Sequence, residues 1–129
     1  MKLPIALITG AARRIGAEIA KHLHRNGYQV IIHCHHSQAE AESLAATLNT
    51  IRPNSAYVAV ADLGSREGCE ELIDKALSFE GRLDALINNA SAFFPTPIED
   101  VNEQQWQQLF NTNLKAPFIL SQRASAALK

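Results

Sequence analysis

Five groups of residues in this 129-residue chain have the types and spacing to do chemistry. The first is Thr9-Gly10-Ala11-Ala12-Arg13-Arg14-Ile15-Gly16, a glycine turn between a short apolar run and an amphipathic stretch. A strand feeding such a turn into a helix leaves backbone N–H groups free, and the helix dipole favours negative charge there. Arg13 and Arg14 stand in that first turn, where the dipole disfavours each cation by roughly 0.3–1 kcal/mol. A phosphate in the site makes sense of that placement. The spacing departs from the dinucleotide fingerprint Gly-x-Gly-x-x-Gly, because Arg14 stands where a middle glycine is expected. On these residues alone, a plain strand–turn–helix junction with solvated arginines stays open. A Walker phosphate loop is excluded, since no Gly-Lys-Ser/Thr follows.

The second group is His33-Cys34-His35-His36-Ser37. Sites for NAD usually place an acid about twenty residues past the glycine turn, bonded to the ribose 2′-hydroxyl. No acid lies between Ile19 and Ala39. The imidazoles and hydroxyl of the second group can receive a 2′-phosphate instead, so NADPH is the expected coenzyme. Zinc is the competing reading of these residues. On a strand, His33 and His35 share one face and Cys34 the other, and no distant Cys/His pair completes a tetrahedral set, so no metal is expected. His22 and His24 are read as solvent-facing, without chemistry.

Asp62-Leu63 and Asn88-Asn89-Ala90-Ser91 form the third and fourth groups, each following an apolar run. The fifth is Asn113, on a helical stripe with Trp106, Leu109 and Phe110. A polar amide on such a stripe must be satisfied by backbone or a held water. A structural asparagine, bracing the helix where Pro117 removes a donor, and a catalytic one are equally open on these grounds.

The elements that must position these groups alternate strand and helix. Strands are expected over Leu3–Thr9, Tyr28–Cys34, Ala56–Ala61 and Leu83–Asn88. The first helix carries Ile15, Ile19, Ala20 and Leu23 on one face and stops at Asn26-Gly27. A capping box Ser37-x-x-Glu40 opens a helix with Ala41, Leu44, Ala45, Leu48 and Ile51. Ser65 caps the next, with Cys69, Leu72, Ile73, Ala76 and Leu77 as its core face, and Asn102-x-x-Gln105 caps a last one running towards Lys129. Four such units give an α/β fold, a doubly wound parallel sheet of order 3-2-1-4 with both faces covered. Ligands on such sheets bind at the carboxyl ends of the strands, near the switch point between strands 1 and 4. All four of the earlier groups fall at those ends, which raises the dinucleotide reading above the bland one.

Composition sets the remaining bounds. The chain can form one domain, and 47% apolar with 19% charged residues is ordinary for a globular protein. A net charge of −1 gives no reason for a nucleic acid or anionic membrane partner. No apolar run approaches the roughly eighteen residues of a membrane span, and Met1-Lys2-Leu3-Pro4 leads straight into a strand, so neither a span nor a signal peptide is expected. Cys34 and Cys69 form no disulfide framework, so a reducing cytoplasm is expected, with both thiols acting as small hydrophobes.

Taken together, these residues resemble the short-chain dehydrogenases/reductases, and within them the pteridine reductase branch. Thr9-Gly10-Ala-Ala-Arg-Arg14-Ile-Gly16 is similar to that branch's glycine turn, with arginine replacing the middle glycine. His33-Cys-His-His-Ser37 resembles its NADPH-selecting segment, Asp62-Leu63 the adenine-contacting pair, and Asn88-Asn-Ala-Ser91 with Ala92-Phe93-Phe-Pro-Thr-Pro97 the segment that follows strand 4. Asn113 fits the asparagine of the catalytic tetrad. The resemblance runs from Leu3 to the end of the chain. It implies that Gly10, Arg14, Ile15 and Gly16 hold the pyrophosphate, His33, His35, His36 and Ser37 the 2′-phosphate, and Asp62 and Leu63 the adenine. Asn89, Ala90 and Ser91 then line the ribose and nicotinamide side. Arg14, Ser91 and Phe93 face a small-molecule, pterin-like substrate, Phe93 by stacking; without the family, Phe93 reads equally as a hydrophobic plug in its loop. Homo-oligomers built through the helices after strands 4 and 5 are a further implication.

One departure is large. The family's proton relay is Tyr-x-x-x-Lys, and this chain's two tyrosines, Tyr28 and Tyr57, are not spaced to a lysine. Residues 1–129 are therefore expected to be the N-terminal, cofactor-binding part of a single Rossmann domain, truncated before that segment and inactive alone. Two classes of function stay open: an NADPH-dependent reductase of pterin or dihydrofolate-like substrates, with generic carbonyl reduction as its variant, and a non-catalytic nucleotide- or partner-binding fragment.

Overall fold

A computed structural model describes residues 3–92 and 97–128. Four strands, β1 (Ile5–Ile8), β2 (Gln29–Cys34), β3 (Ala56–Val60) and β4 (Ala85–Ile87), pair in parallel in the order β3-β2-β1-β4. The expected topology is the observed one. Helices α1 (Arg14–Arg25) and α2 (Gln38–Ile51) cover one face, while α3 (Arg66–Glu80) and α5 (Ala116–Leu128) cover the other. Between β4 and α5 come α4 (Glu103–Phe110) and a π-helical turn, Asn111–Lys115.

Alternation along the strands divides the core. Ala6, Ile8, Val30, Ile32 and Cys34 pack under α1 and α2 with Ala41, Leu44 and Leu48. Ile5, Leu7, Ile31 and Ala59 pack under α3 and α5 with Leu72, Ile73, Ile119 and Leu120. Each fully buried Ile or Leu contributes about 1.5–3 kcal/mol, which explains why strands covered on both faces read as unbroken apolar runs. Register places Ile8 of β1 between Ile32 of β2 and Ile87 of β4, so these three strands end on one rim.

Four local expectations need correction. Helix α1 buries Gly16, Ala17, Ala20 and His24, and Ile15 is 70% exposed. Small side chains let the helix approach the sheet closely, which rotates its packed face off Ile15. Ile51, at the end of α2, is likewise exposed. His24 is not solvent-facing: it is 1% exposed, with Nε2 2.6 Å from Ser55 Oγ. Ser37 makes no capping hydrogen bond, and Glu40 pairs instead with Arg13 at 3.6 Å. The other two caps form as expected, with Ser65 Oγ accepting from Gly68 N–H at 3.0 Å and Asn102 and Gln105 closing a reciprocal box.

The last helix is not continuous α-helix. The π-helical turn inserts an extra residue ahead of Pro117, which has no N–H to offer the carbonyl one turn before it. Trp106, Phe110, Leu114 and Phe118 are left on the outside, each at least 42% exposed. Among the described residues, no helix is long and apolar enough to cross a membrane.

Candidate functional site

The rim formed by the carboxyl ends of the strands carries four of the five groups. Gly10 turns the chain out of β1 with φ +60°, and a Cβ there would press on Ala90 Cα at 2.9 Å. A Cβ at Gly16 would meet the Gly10 carbonyl and Asn89 Nδ2. Both positions therefore require glycine, one for conformation and both for close approach. Arg14 adopts φ +54°, the left-handed backbone that suits the missing middle glycine. A non-glycine residue held there costs roughly 1–2 kcal/mol, and such strain persists where the surroundings over-determine it.

Thr9 and Asn89 close the turn against the end of β4. Thr9 Oγ1 accepts from the N–H groups of Asn89 and Ala90, both at 2.9 Å. Asn89 Nδ2 donates to the carbonyls of Thr9 and Gly10, both at 3.1 Å. The Asn89 side chain is thus committed to shaping the turn, and Thr9, which the sequence marks as the first residue of the turn without a role, organises it. Helix α1 starts with no acidic residue in its first turn and no side-chain cap on Arg13. Its leading N–H groups, at Arg14, Ile15 and Gly16, have no partner within the helix and point to the rim.

His33 does not stand on the rim. It is 3% exposed, its Nδ1 accepts the Gly10 N–H at 2.9 Å, and its Nε2 lies 2.9 Å from the Ala61 carbonyl. Both ring nitrogens are spent inside the chain, a geometry that does not fit the expected phosphate contact. Strand alternation is the reason: with Ile31, His33 points into the α3–α5 side of the core. His35 and His36 are exposed, ring centroids 3.9 Å apart, followed by half-buried Ser37. Arg13, which its place in the chain ties to the glycine turn, also stands beside the start of α2 through its pair with Glu40.

Asp62 is exposed, and its Oδ1 accepts the Gly64 N–H at 2.8 Å. Leu63 is 6% exposed and packs into the core, so only its backbone faces the rim. Ser91 is exposed. Asn113 neither braces Pro117 nor sits on a packed stripe; it is exposed and hydrogen-bonds Ala92. Phe93 lies outside the described residues.

Burial pushes both thiols, Cys34 and Cys69, above their ordinary range, and both pack as hydrophobes. Among the described residues no three histidine, cysteine, aspartate or glutamate side chains converge as a metal set. Tyr57 lies at the opposite rim, its hydroxyl 3.2 Å from the Asn54 carbonyl. Burial, then Glu80, raises its phenol. That is the reverse of what a proton donor to a reduced substrate needs.

A parallel sheet of order β3-β2-β1-β4, with a glycine turn at the switch point between β1 and β4, defines a Rossmann-type fold. Residues 4–129 match the family model for short chain dehydrogenase, and the chain belongs to that family of oxidoreductases, which use a nicotinamide cofactor. It is 39% identical to pteridine reductase 1 of Leishmania tarentolae, over 91% of this chain and 51% of that protein. It is 33% identical to a short-chain type dehydrogenase/reductase of Picea abies, over 94% and 47%, and 30% identical to an acetoacetyl-CoA reductase of Acinetobacter, over 92% and 48%. The chain spans about half the length of the curated relatives it matches.

Proposed function

We propose that this rim binds NADPH and that these residues are the cofactor-holding part of a short-chain reductase of pterin-like substrates. The observation that carries the coenzyme assignment is an acid-free α1 N-terminus on the same rim as exposed His35 and His36 and half-buried Ser37, with Arg13 reaching Glu40 in the first turn of α2. The N–H groups of Arg14, Ile15 and Gly16 hold the pyrophosphate, and the Arg14 side chain supplies the positive charge of the same turn. His35, His36, Ser37 and Arg13 receive the 2′-phosphate, Asp62 and the Leu63 backbone border the adenine, and Ala90 and Ser91 line the nicotinamide side. When bound, the coenzyme supplies a hydride. This chain's residues hold and orient it, and Asn113 fixes the loop that presents Ser91. The pterin reading is supported by similarity to the Leishmania protein and by Ser91 and Arg14 standing on the same rim. Assembly of copies is supported by the exposed apolar stripe of Trp106, Phe110, Leu114 and Phe118.

Titration calorimetry with NADPH and NADH tests this. NADPH is expected to bind at least about tenfold more tightly, the worth of one charge-assisted contact to its extra phosphate. Equal affinity, or preference for NADH, overturns the coenzyme assignment. Quenching of bound-NADPH fluorescence by a pterin, and not by an acetoacetyl thioester, supports the substrate class; the reverse order overturns it.

A further inference from the structure

We propose that His33 is a positioning residue, a neutral imidazole brace that holds the Gly10 bend in its coenzyme-binding shape. The inference rests on the coenzyme reading above for its functional consequence, but the brace itself stands on geometry. Three strand ends meet at this ring: Gly10 after β1, His33 in β2 and Ala61 after β3. The Ala61 carbonyl can only accept, so Nε2 must carry the proton. The Gly10 N–H can only donate, so Nδ1 must be bare. A single tautomer satisfies both partners. The backbone adds a third tie, with Ala11 N–H donating to the His33 carbonyl at 2.9 Å.

Two consequences follow. The Gly10 N–H is consumed by the ring, so it is not a phosphate donor, and the anion donors of the turn are those at the start of α1. A proton added at Nδ1 would face the Gly10 N–H donor to donor, breaking that bond and releasing the bend. Burial, partly opposed by the Ala61 hydrogen bond, holds the ring below the usual histidine range and so keeps it neutral. The elements around it carry Arg13 and Arg14 in the turn, His35 on its own strand end, Asp62 beyond Ala61, and Arg66 and Glu67 at the start of α3; of these, His35 opposes a second positive charge.

Nitrogen-15 spectroscopy of the imidazoles, amide exchange at Gly10 and NADPH titration, on the wild type, His33→Leu and His33→Asn, test the brace. The wild-type ring is expected as the Nε2–H form, and Gly10 should lose exchange protection on acidification with the same midpoint as that ring. His33→Leu should speed Gly10 exchange and weaken NADPH binding about tenfold each, the scale of one buried donor left unmade. His33→Asn, whose amide can accept from Gly10 and donate to Ala61, should recover most of both. An Nδ1–H ring, Gly10 protection that survives the ring's titration, or His33→Asn as impaired as His33→Leu overturns the proposal. If the wild type binds no NADPH, the coenzyme reading fails, while the tautomer and the Gly10 exchange still judge the brace. If His33→Leu does not fold, the wild-type titration decides.

Discussion

Asn113 and Ala92 grip each other in both directions: Asn113 Nδ2 donates to the Ala92 carbonyl and the Ala92 N–H donates to Asn113 Oδ1, each at 2.8 Å. The π-helical turn that contains Asn113 is thereby tied to the segment carrying Ala90 and Ser91. Asn113→Ala is expected to cost only about 1 kcal/mol of stability, since both groups reach solvent. Its larger effect should be local, with Ala92 amide exchange faster by about tenfold. Unchanged exchange at Ala92 would show that the tie does not hold the segment.

Arg14 separates stability from binding. Arg14→Gly relieves roughly 1–2 kcal/mol of left-handed strain and loosens the unfolded chain by about 0.4–1 kcal/mol. The variant should therefore be as stable as the wild type or up to about 1.5 kcal/mol more so. NADPH affinity should nevertheless fall about tenfold, for want of a charge-assisted contact to the pyrophosphate. Chemical denaturation and calorimetry on one preparation check both halves. A variant that binds as well as the wild type would remove Arg14 from the site.

The Arg13–Glu40 pair is exposed on both sides, and such pairs are worth about 0–1 kcal/mol. Glu40→Gln should leave the unfolding midpoint nearly unchanged. It also removes an acid that competes with the 2′-phosphate for Arg13, so NADPH should bind a few-fold more tightly, and NADH should not. Equal gains for both coenzymes would place Arg13 away from the 2′-phosphate.

His24 makes folding acid-sensitive at the opposite rim. Burial, then the nearby Arg52 guanidinium, holds its folded-state titration below the ordinary 6.5. The unfolded chain takes up a proton near 6.5 and the folded chain resists it. The stability gained by keeping this ring neutral is therefore complete above about 6.5 and declines as pH falls towards the folded value. His24→Leu should lose about 1–3 kcal/mol at pH 8, by leaving Ser55 without its ring partner, yet show a shallower decline between pH 7 and pH 5. Melting curves across that range decide it; parallel declines would assign the acid loss to other groups.

How far the sequence reveals this molecule depends on whether the deciding partner is near in the chain. The sheet order follows from four βα units and handed crossovers, so it is legible without coordinates. Ser65 and Asn102 bond to residues three positions on, and their caps are readable. Ser37 has the same spacing, but Glu40 is drawn away by Arg13, which comes from a different element. His24 reads as surface because Ser55, its partner, lies 31 residues away. His33 reads as a ligand because it shares a segment with His35 and His36; its commitment to Gly10 and Ala61 depends on which face of β2 it occupies. The rim as a whole is legible, and the division of labour within it is not.

The two ends of the sheet answer to different side chains. At the far end His24, Arg52, Ser55 and Asn49 lock α1 and α2 to the start of β3, with Arg52 reaching the His24 and Tyr28 carbonyls at 3.1 and 2.6 Å. None of these four enters the glycine turn. Substitutions there and at the turn should behave independently, their free energies summing, because distant sites that share no partner do so. An engineer can thus harden this protein against heat from below while retuning its choice of coenzyme from above.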